Sequence, residues 1–183
     1  MAITRWMSWE GGVDLCGATA PGMAAPNVIV HVGRVVQTPA GSASSAMIFF
    51  APDPAKPPEF FAFVSTDEKV GRYFGPNVFA GTPFEKAPVL IGKFEIVTEA
   101  KGVGAKITVA GRLFETWLSD LGPTEIVRRE PTATSPFTQL GIEAAAMKAS
   151  LKIDGKEITL HLPKVGISGG PAAVSAPAGL YVR

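Results

Sequence analysis

The sequence predicts an all-β protein: a single antiparallel β-barrel or sandwich of about seven to nine strands, with one or two short helices. Three observations carry that expectation. Asp154-Gly155 divides AMKASLKIDGKEITLHL, residues 146–162, into two alternating runs, and an Asp-Gly pair supplies the positive φ angles that a type I′ hairpin turn requires. The run NVIVHVGRVVQ, residues 27–37, is β-branched throughout and fits a pleated, half-buried surface. Finally, 20 glycines and 16 prolines in 183 residues break helices and suit short strands joined by tight turns.

The Asp154-Gly155 turn fixes a register. Ile153 faces Lys156, Leu151 faces Ile158, Ala149 faces Leu160 and Met147 faces Leu162, which makes one face almost wholly apolar. The opposite face pairs Lys152 with Glu157, Ser150 with Thr159 and Lys148 with His161. A ribbon with one dry face must lay it on another layer.

The chain length suits one well-buried core, so residues 1–183 are expected to form a single β domain. Residues 1–26 mix Trp6, Trp9, glycines and prolines without a sustained period and are expected to be a weakly structured arm, its tryptophans packing back onto the domain. In residues 27–37, Val28, Val30, Val32 and Val36 share one face while Ile29, His31 and Val35 share the other. Gly33 followed by Arg34 suggests a bulge that flips the alternation. Residues 37–45 read as a polar loop. Residues 46–51 and 59–65 form two apolar strands around a connector stiffened by four prolines, and they carry Phe49, Phe50, Phe60, Phe61 and Phe63.

Ser65 and Glu68 have capping-box spacing for a short helix, in which Val70, Tyr73 and Phe74 turn inward until Gly75-Pro76 ends it. Residues 89–98 and 105–110 form a second hairpin. In RLFETWLSDL, residues 112–121, the apolar positions make a helical stripe that Gly122-Pro123 would terminate, and a helix is expected. As a strand, this stretch would put Leu113, Glu115 and Trp117 on one face. Residues 125–130 suit another strand. Residues 163–179 read as a Gly/Ala/Pro-rich tail, with 180–183 a possible closing edge strand.

Composition excludes several functions. With 17 basic and 16 acidic residues, no nucleic-acid footprint is present. The N-terminus lacks the unbroken apolar h-region of a signal peptide, and no apolar run approaches the roughly 20 residues of a membrane span. A soluble cytoplasmic protein with no nucleic-acid and no membrane partner is expected. One cysteine and two histidines exclude a finger-type zinc site and an intrachain disulfide. Gly102-Val103-Gly104 lacks the third glycine of a dinucleotide fingerprint, and no phosphate loop occurs. No cofactor and no metal are expected.

Gly166-Ile167-Ser168-Gly169-Gly170 matches G-x-S-x-G, but no acid and no histidine follows Ser168, so the nucleophile elbow of that pattern lacks its partners and a glycine loop is expected. His161 belongs to a wet face. His31 sits mid-strand among valines; it and Glu115 are the candidate catalytic groups, His31 as a base and Glu115 as a carboxylate that burial would perturb.

The surplus of phenylalanine and β-branched residues suggests a pocket for a small apolar ligand, held by a carrier or a cofactor-independent enzyme. Tyr73, Trp117, Phe61 and Phe63 are its candidate ligand-binding residues. The alternative is a structural protein without an active site that forms a homo-oligomer, through the Trp6/Trp9 arm or the C-terminal edge strand.

Overall fold

The computed structural model describes residues 5–23, 25–133 and 135–183. They form one sheet of eleven strands: β1 (Trp6–Gly17), β2 (Val28–Thr38), β3 (Gly41–Phe50), β4 (Phe60–Ser65), β5 (Val89–Glu99), β6 (Gly102–Val109), β7 (Arg112–Leu121), β8 (Glu125–Arg129), β9 (Thr138–Ile153), β10 (Lys156–Ile158) and β11 (Ala173–Val182). Helix α1 (Glu68–Tyr73) and a π turn (Phe74–Val78) lie between β4 and β5. Among the described residues no helix is long and apolar enough to cross a membrane.

Following the ladders from β9 through β11, β1, β2, β3, β4, β5, β6 and β7 leads back to β9. The result is a barrel-like ring rather than a true barrel, for two reasons. The β4–β5 contact is a parallel one of three residue pairs, whereas every other ladder is antiparallel. Closure also depends on the long β9, which pairs with β11 over residues 138–145 and with β7 over residues 146–153. Strand β8 takes up the pairing where β7 leaves off, with Leu121 opposite Ala146 and Glu125 opposite Glu143.

The hairpin of residues 146–162 forms with the expected register: Ile153 faces Lys156, Lys152 faces Glu157 and Leu151 faces Ile158. Asp154 and Gly155 take φ of 54° and 78°, as the I′ turn demands. Beyond Ile158 the ladder stops, and Leu160 and Leu162 pack on the interior without strand pairing. Met147, expected on the apolar face, is 76% exposed: the inward alternation of β9 breaks between Ala149 and Ala146, and Ala146 takes the interior place instead.

Several stretches depart from expectation. Residues 6–17 of the supposed N-terminal arm form β1, paired on both sides by β2 and β11; residues 1–4 and 24 lie outside the described residues. The supposed tail contains β11, and residues 180–182 are no edge, since β1 and β9 flank them. The polar loop of 37–45 is mostly strand, with a two-residue turn at Pro39-Ala40 between β2 and β3. Residues 112–121 are strand β7, not a helix: Phe114, Thr116 and Leu118 point into the ring at period two. The cap of α1 is Asp67, which accepts from the Lys69 and Val70 N–H groups at 2.8 and 3.1 Å, while Ser65 accepts from Asp67 N–H one step earlier. Gly75-Pro76 continues the helix into the π turn rather than ending it.

All nine ring strands contribute to one apolar interior. Leu15, Val30, Ile48, Val64, Ile107, Phe114, Leu118 and Leu151 are among its most buried members. Side chains therefore fill the ring, as expected for a small barrel. A second apolar cluster lies outside the ring, where α1, the π turn and residues 79–88 cover the outer face of β1–β4 and β11.

Candidate functional site

Interruptions of the strand alternation build the covered outer face. Residues 10 and 12 of β1 pair with 35 and 33 of β2 in one unshifted register, with Gly11 and Arg34 facing each other between them and forming no ladder pair. The β2–β3 register shifts between Gly33 and Val36, and the β11–β9 register between Ser175 and Ala178. Each bulge inverts the alternation. Met7, Trp9, Val36 and Tyr181 consequently reach the same outer cluster as Cys16, Ile29 and Val174, although their sequence parity differs. Gly11 takes φ +63°, a conformation in which a Cβ would be strained. Trp9 lies flat over Gly179, where a Cβ would collide with its ring, and its indole N–H donates to the Ala176 carbonyl at 3.1 Å.

One ladder row crosses this face: Val174, Asp14, His31, Met47, Phe63 and Val89 stand opposite one another in turn. Asp14 and His31 are thus direct cross-strand neighbours, with Oδ1 and Nδ1 2.9 Å apart. That contact settles the tautomer. A carboxylate accepts the Nδ1 hydrogen, so neutral His31 presents the Nε2 lone pair as acceptor or base. Nε2 is buried and has no hydrogen-bond partner, an arrangement that costs free energy unless something fills the vacant position.

A cavity of about 70 Å³ opens beside this row, room for roughly five waters or a comparably small apolar group. Its apolar wall comes from Met7, Trp9, Val36, Met47, Phe63, Phe74, Phe79 and Phe137. Its polar groups are Asp14, His31, Ser45, Ser135, Ser168 and Tyr181. The Asp14 and His31 side chains keep 20% and 23% exposure, so that end meets solvent. Tyr181 stacks on Phe137 with centroids 3.9 Å apart and tilts against Trp9 at 4.5 Å. Burial first, then the carboxylates of Asp14 and Glu143, hold its hydroxyl well above the ordinary tyrosine pKa, which keeps it a protonated donor.

A buried ion pair backs the site. Arg129 grips Glu143 with two bonds of 2.6 Å, and Gln139 donates to the same carboxylate at 2.5 Å. Glu143 raises the Arg129 pKa further, against the opposing effect of burial. The guanidinium packs against Gly170, where a Cβ would clash with it. Gly170 closes a tight turn: the Gly166 N–H donates to its carbonyl at 2.8 Å, and the Gly169 N–H donates to the Gly166 carbonyl at 3.1 Å. Ser168 stands in that turn. Beneath it, burial pushes the Cys16 thiol up to about 11, with the Ile167 backbone opposing.

Of the residues singled out from sequence, the cavity brings together His31 and Phe63. Phe61 packs edge-on against Phe49 and Phe84 in the same cluster but does not line the cavity. Tyr73 sits on α1 at the rim, its hydroxyl accepting from the Trp6 N–H at 3.2 Å. Glu115 and Trp117 lie elsewhere, on the bare outer face of β5–β7 and β9. There Glu95, Lys106, Glu115, Lys152 and Glu157 alternate in charge across five strands, with Lys106 and Glu115 3.8 Å apart. Glu115 is half-buried in this ladder rather than enclosed, and Trp117 lies over Gly102 and Gly104. His161 is an exposed residue bridged to Ala18.

Sequence reasoning missed Asp14 and Tyr181 and set Ser168 aside as part of a glycine loop. The signal for Asp14 existed only once residues 6–17 were seen as the strand beside His31. Among the described residues, no group of three His, Cys, Asp or Glu side chains could hold a metal ion. No protein-family model, no curated protein and no solved structure matches this chain.

Proposed function

We propose that this protein binds a small, mainly apolar molecule in the cavity between the outer face of β1–β4 and its helical cover, acting in the cytoplasm as a carrier or a cofactor-independent enzyme. The observation that carries this reading is His31: Asp14 orients it, its Nε2 is buried and unpaired, and it stands at the polar end of an otherwise apolar cavity. A ligand with a short hydrocarbon body and one hydrogen-bond donor satisfies both halves, because apolar walls supply affinity while a few placed polar groups fix orientation.

The test is a thermal-shift series of straight-chain alcohols of about four to eight carbons against alkanes of equal length. A ligand that binds only the native state must raise its stability, by about 2.7 kcal/mol at a hundredfold excess over Kd. Alcohols are expected to raise the melting temperature more than alkanes, and His31→Phe to remove that difference. If no member of the series moves the melting temperature at millimolar concentration, the reading fails.

A second reading is self-association. Leu121, Ile126, Leu140 and Ile142 are exposed around the seam where β8 takes over from β7 beside β9, and β8 pairs only with β9 among the described residues. Exposed apolar strips beside an open strand edge favour pairing with another chain. The two routes suggested by the sequence do not serve it, since Trp9 is buried within its own chain and β11 is flanked on both sides.

A further inference from the structure

The serine set aside for want of partners downstream has them upstream. Asp14, His31 and Ser168 line one cavity, in the chain order acid, histidine, serine, and a triad is recognised by geometry and roles rather than by sequence order. We infer that the cavity is the acyl site of a serine hydrolase for short-chain carboxylic esters, with Ser168 as nucleophile, His31 as general base, Tyr181 as the donor to the carbonyl oxygen and Asp14 as the residue that positions His31. This deepens the ligand-binding reading above and rests on it.

Four features support the assignment. The Asp14–His31 contact of 2.9 Å engages Nδ1, while Nε2 of this cavity-lining residue is buried without a partner. Ser168 is held in a turn closed by two backbone hydrogen bonds. That turn is seated over the Asp14 strand, because a Cβ at Gly166 would stand 3.5 Å from the Cys16 Cβ, and Cys16 follows Asp14 on the same face of β1. The apolar wall is sized for a short chain rather than a long one. Ser168 Oγ and His31 Nε2 make no hydrogen bond in the free protein, and nucleophile–base contacts are often loose until substrate binds.

The step balances without any further reagent. Ser168 Oγ attacks the acyl carbon while its proton passes to His31 Nε2, and the Tyr181 hydroxyl donates a hydrogen bond to the developing oxyanion. The carbon–oxygen bond to the alcohol breaks, and the alcohol leaves with the proton from His31. Water then attacks the acyl-Ser168 ester and yields its proton to His31. The acid departs and Ser168 takes that proton back.

The test uses the full chain, diisopropyl fluorophosphate as the serine probe and p-nitrophenyl butyrate as the substrate. One adduct per chain is expected, mapped to Ser168 by peptide mass spectrometry, with fluoride as the leaving group. Ser168→Ala, a change in a turn outside both apolar clusters, should abolish the adduct and the ester hydrolysis while leaving the circular dichroism spectrum unchanged. His31→Gln should slow both by about a hundredfold or more. Asp14→Asn should lower kcat by a similar factor with KM unchanged, a split that mere loosening of the cavity would not produce. An adduct on another residue, no adduct, or undiminished hydrolysis by Ser168→Ala overturns the inference. If alcohols still raise the melting temperature in that case, the binding reading survives alone; if they do not, both fall.

Discussion

The molecule has two apolar cores that share one wall, and they differ in what they tolerate. Inside the ring, Val13, Leu15, Val30, Ile48, Ile107 and Leu118 are closed to solvent, and among the described residues no titratable side chain belongs to their cluster. Outside it, over the same β1–β4, the cluster is aromatic and includes Cys16 and Tyr181, with Asp14 and His31 bordering its cavity. The difference follows from how each is closed. Strands close a ring by continuous hydrogen bonding and leave little freedom, whereas a helix, a π turn and loops close the outer layer side chain by side chain. Loops on a rigid scaffold are where binding chemistry usually resides, and here the scaffold is the filled ring.

The largest expected effect tests the rigidity of the inner core. Phe114, 1% exposed and packed on Phe60 with centroids 4.8 Å apart, should cost about 3–5 kcal/mol when changed to Ala, because the ring cannot collapse around the void. Phe79, half-buried beside the existing cavity, should cost about half as much or less. Urea unfolding measures both. Equal losses would mean that the outer layer is as tightly built as the ring.

Next in size is the ion pair behind the outer core. Arg129→Met leaves the Glu143 carboxylate, 6% exposed, without its bidentate partner, and breaking a buried pair this way costs about 3–5 kcal/mol. Adding Glu143→Leu to Arg129→Met should recover most of the loss, since an apolar pair often replaces a buried ionic one at little cost. A double-mutant cycle reads the coupling. No recovery would mean that Gln139, stranded by the second change, matters more than the charge.

The same contrast decides what the sequence disclosed. The hairpin around Asp154-Gly155 and the bulge after Gly33 were legible because turn and bulge chemistry is local. Strand β7 was not: Phe114 and Leu118 face the ring while Leu113 and Trp117 cover its outside, and apolar residues on both faces imitate a helical stripe. Strand β1 was hidden by Gly11-Gly12, around which its alternation flips from Trp9 in the outer cluster to Val13 in the inner one. Strand β11 was hidden by its small residues, which are small because Trp9 lies against Ala176 and Gly179. His31 could be singled out by its place among valines. Ser168 stood out by its G-x-S-x-G pattern but without partners, and Asp14 and Tyr181 did not stand out, because each sits on one of those misread stretches and only the closed sheet brings them to the face of His31.

A pH experiment sharpens the comparison from the outer side. The Cys16 thiol is raised from an ordinary value of 9.0 to about 11, so above pH 9 the folded chain holds a proton that the unfolded chain releases. Stability then falls as pH rises. Its contribution is fully present below pH 9 and gone by about pH 11, a loss of at most about 3 kcal/mol at roughly 1.4 kcal/mol per unit. Cys16→Ala should flatten the alkaline limb of a stability–pH curve by that amount, compared at equal ionic strength. An unchanged limb would show that the thiol reaches solvent in the native state.

The smallest expected effect on folding belongs to the strip that neither core uses. Ile126 is 90% exposed on β8, opposite Ile142 across the ladder, so Ile126→Lys removes almost no buried surface and should change stability by less than about 0.5 kcal/mol. Its effect on association is a separate matter. A lysine on an open edge strand leaves an unpaired charge against any neighbouring copy, so the variant should sediment as a monomer at concentrations where the wild type does not. If both sediment alike as monomers, the strip is ordinary exposed apolar surface and self-association through β8 is excluded. If both sediment alike as a stable oligomer, association uses another face. In neither case is the outer cavity touched, because Ile126 borders none of its walls, and binding of a small apolar molecule there should be the same in the two proteins.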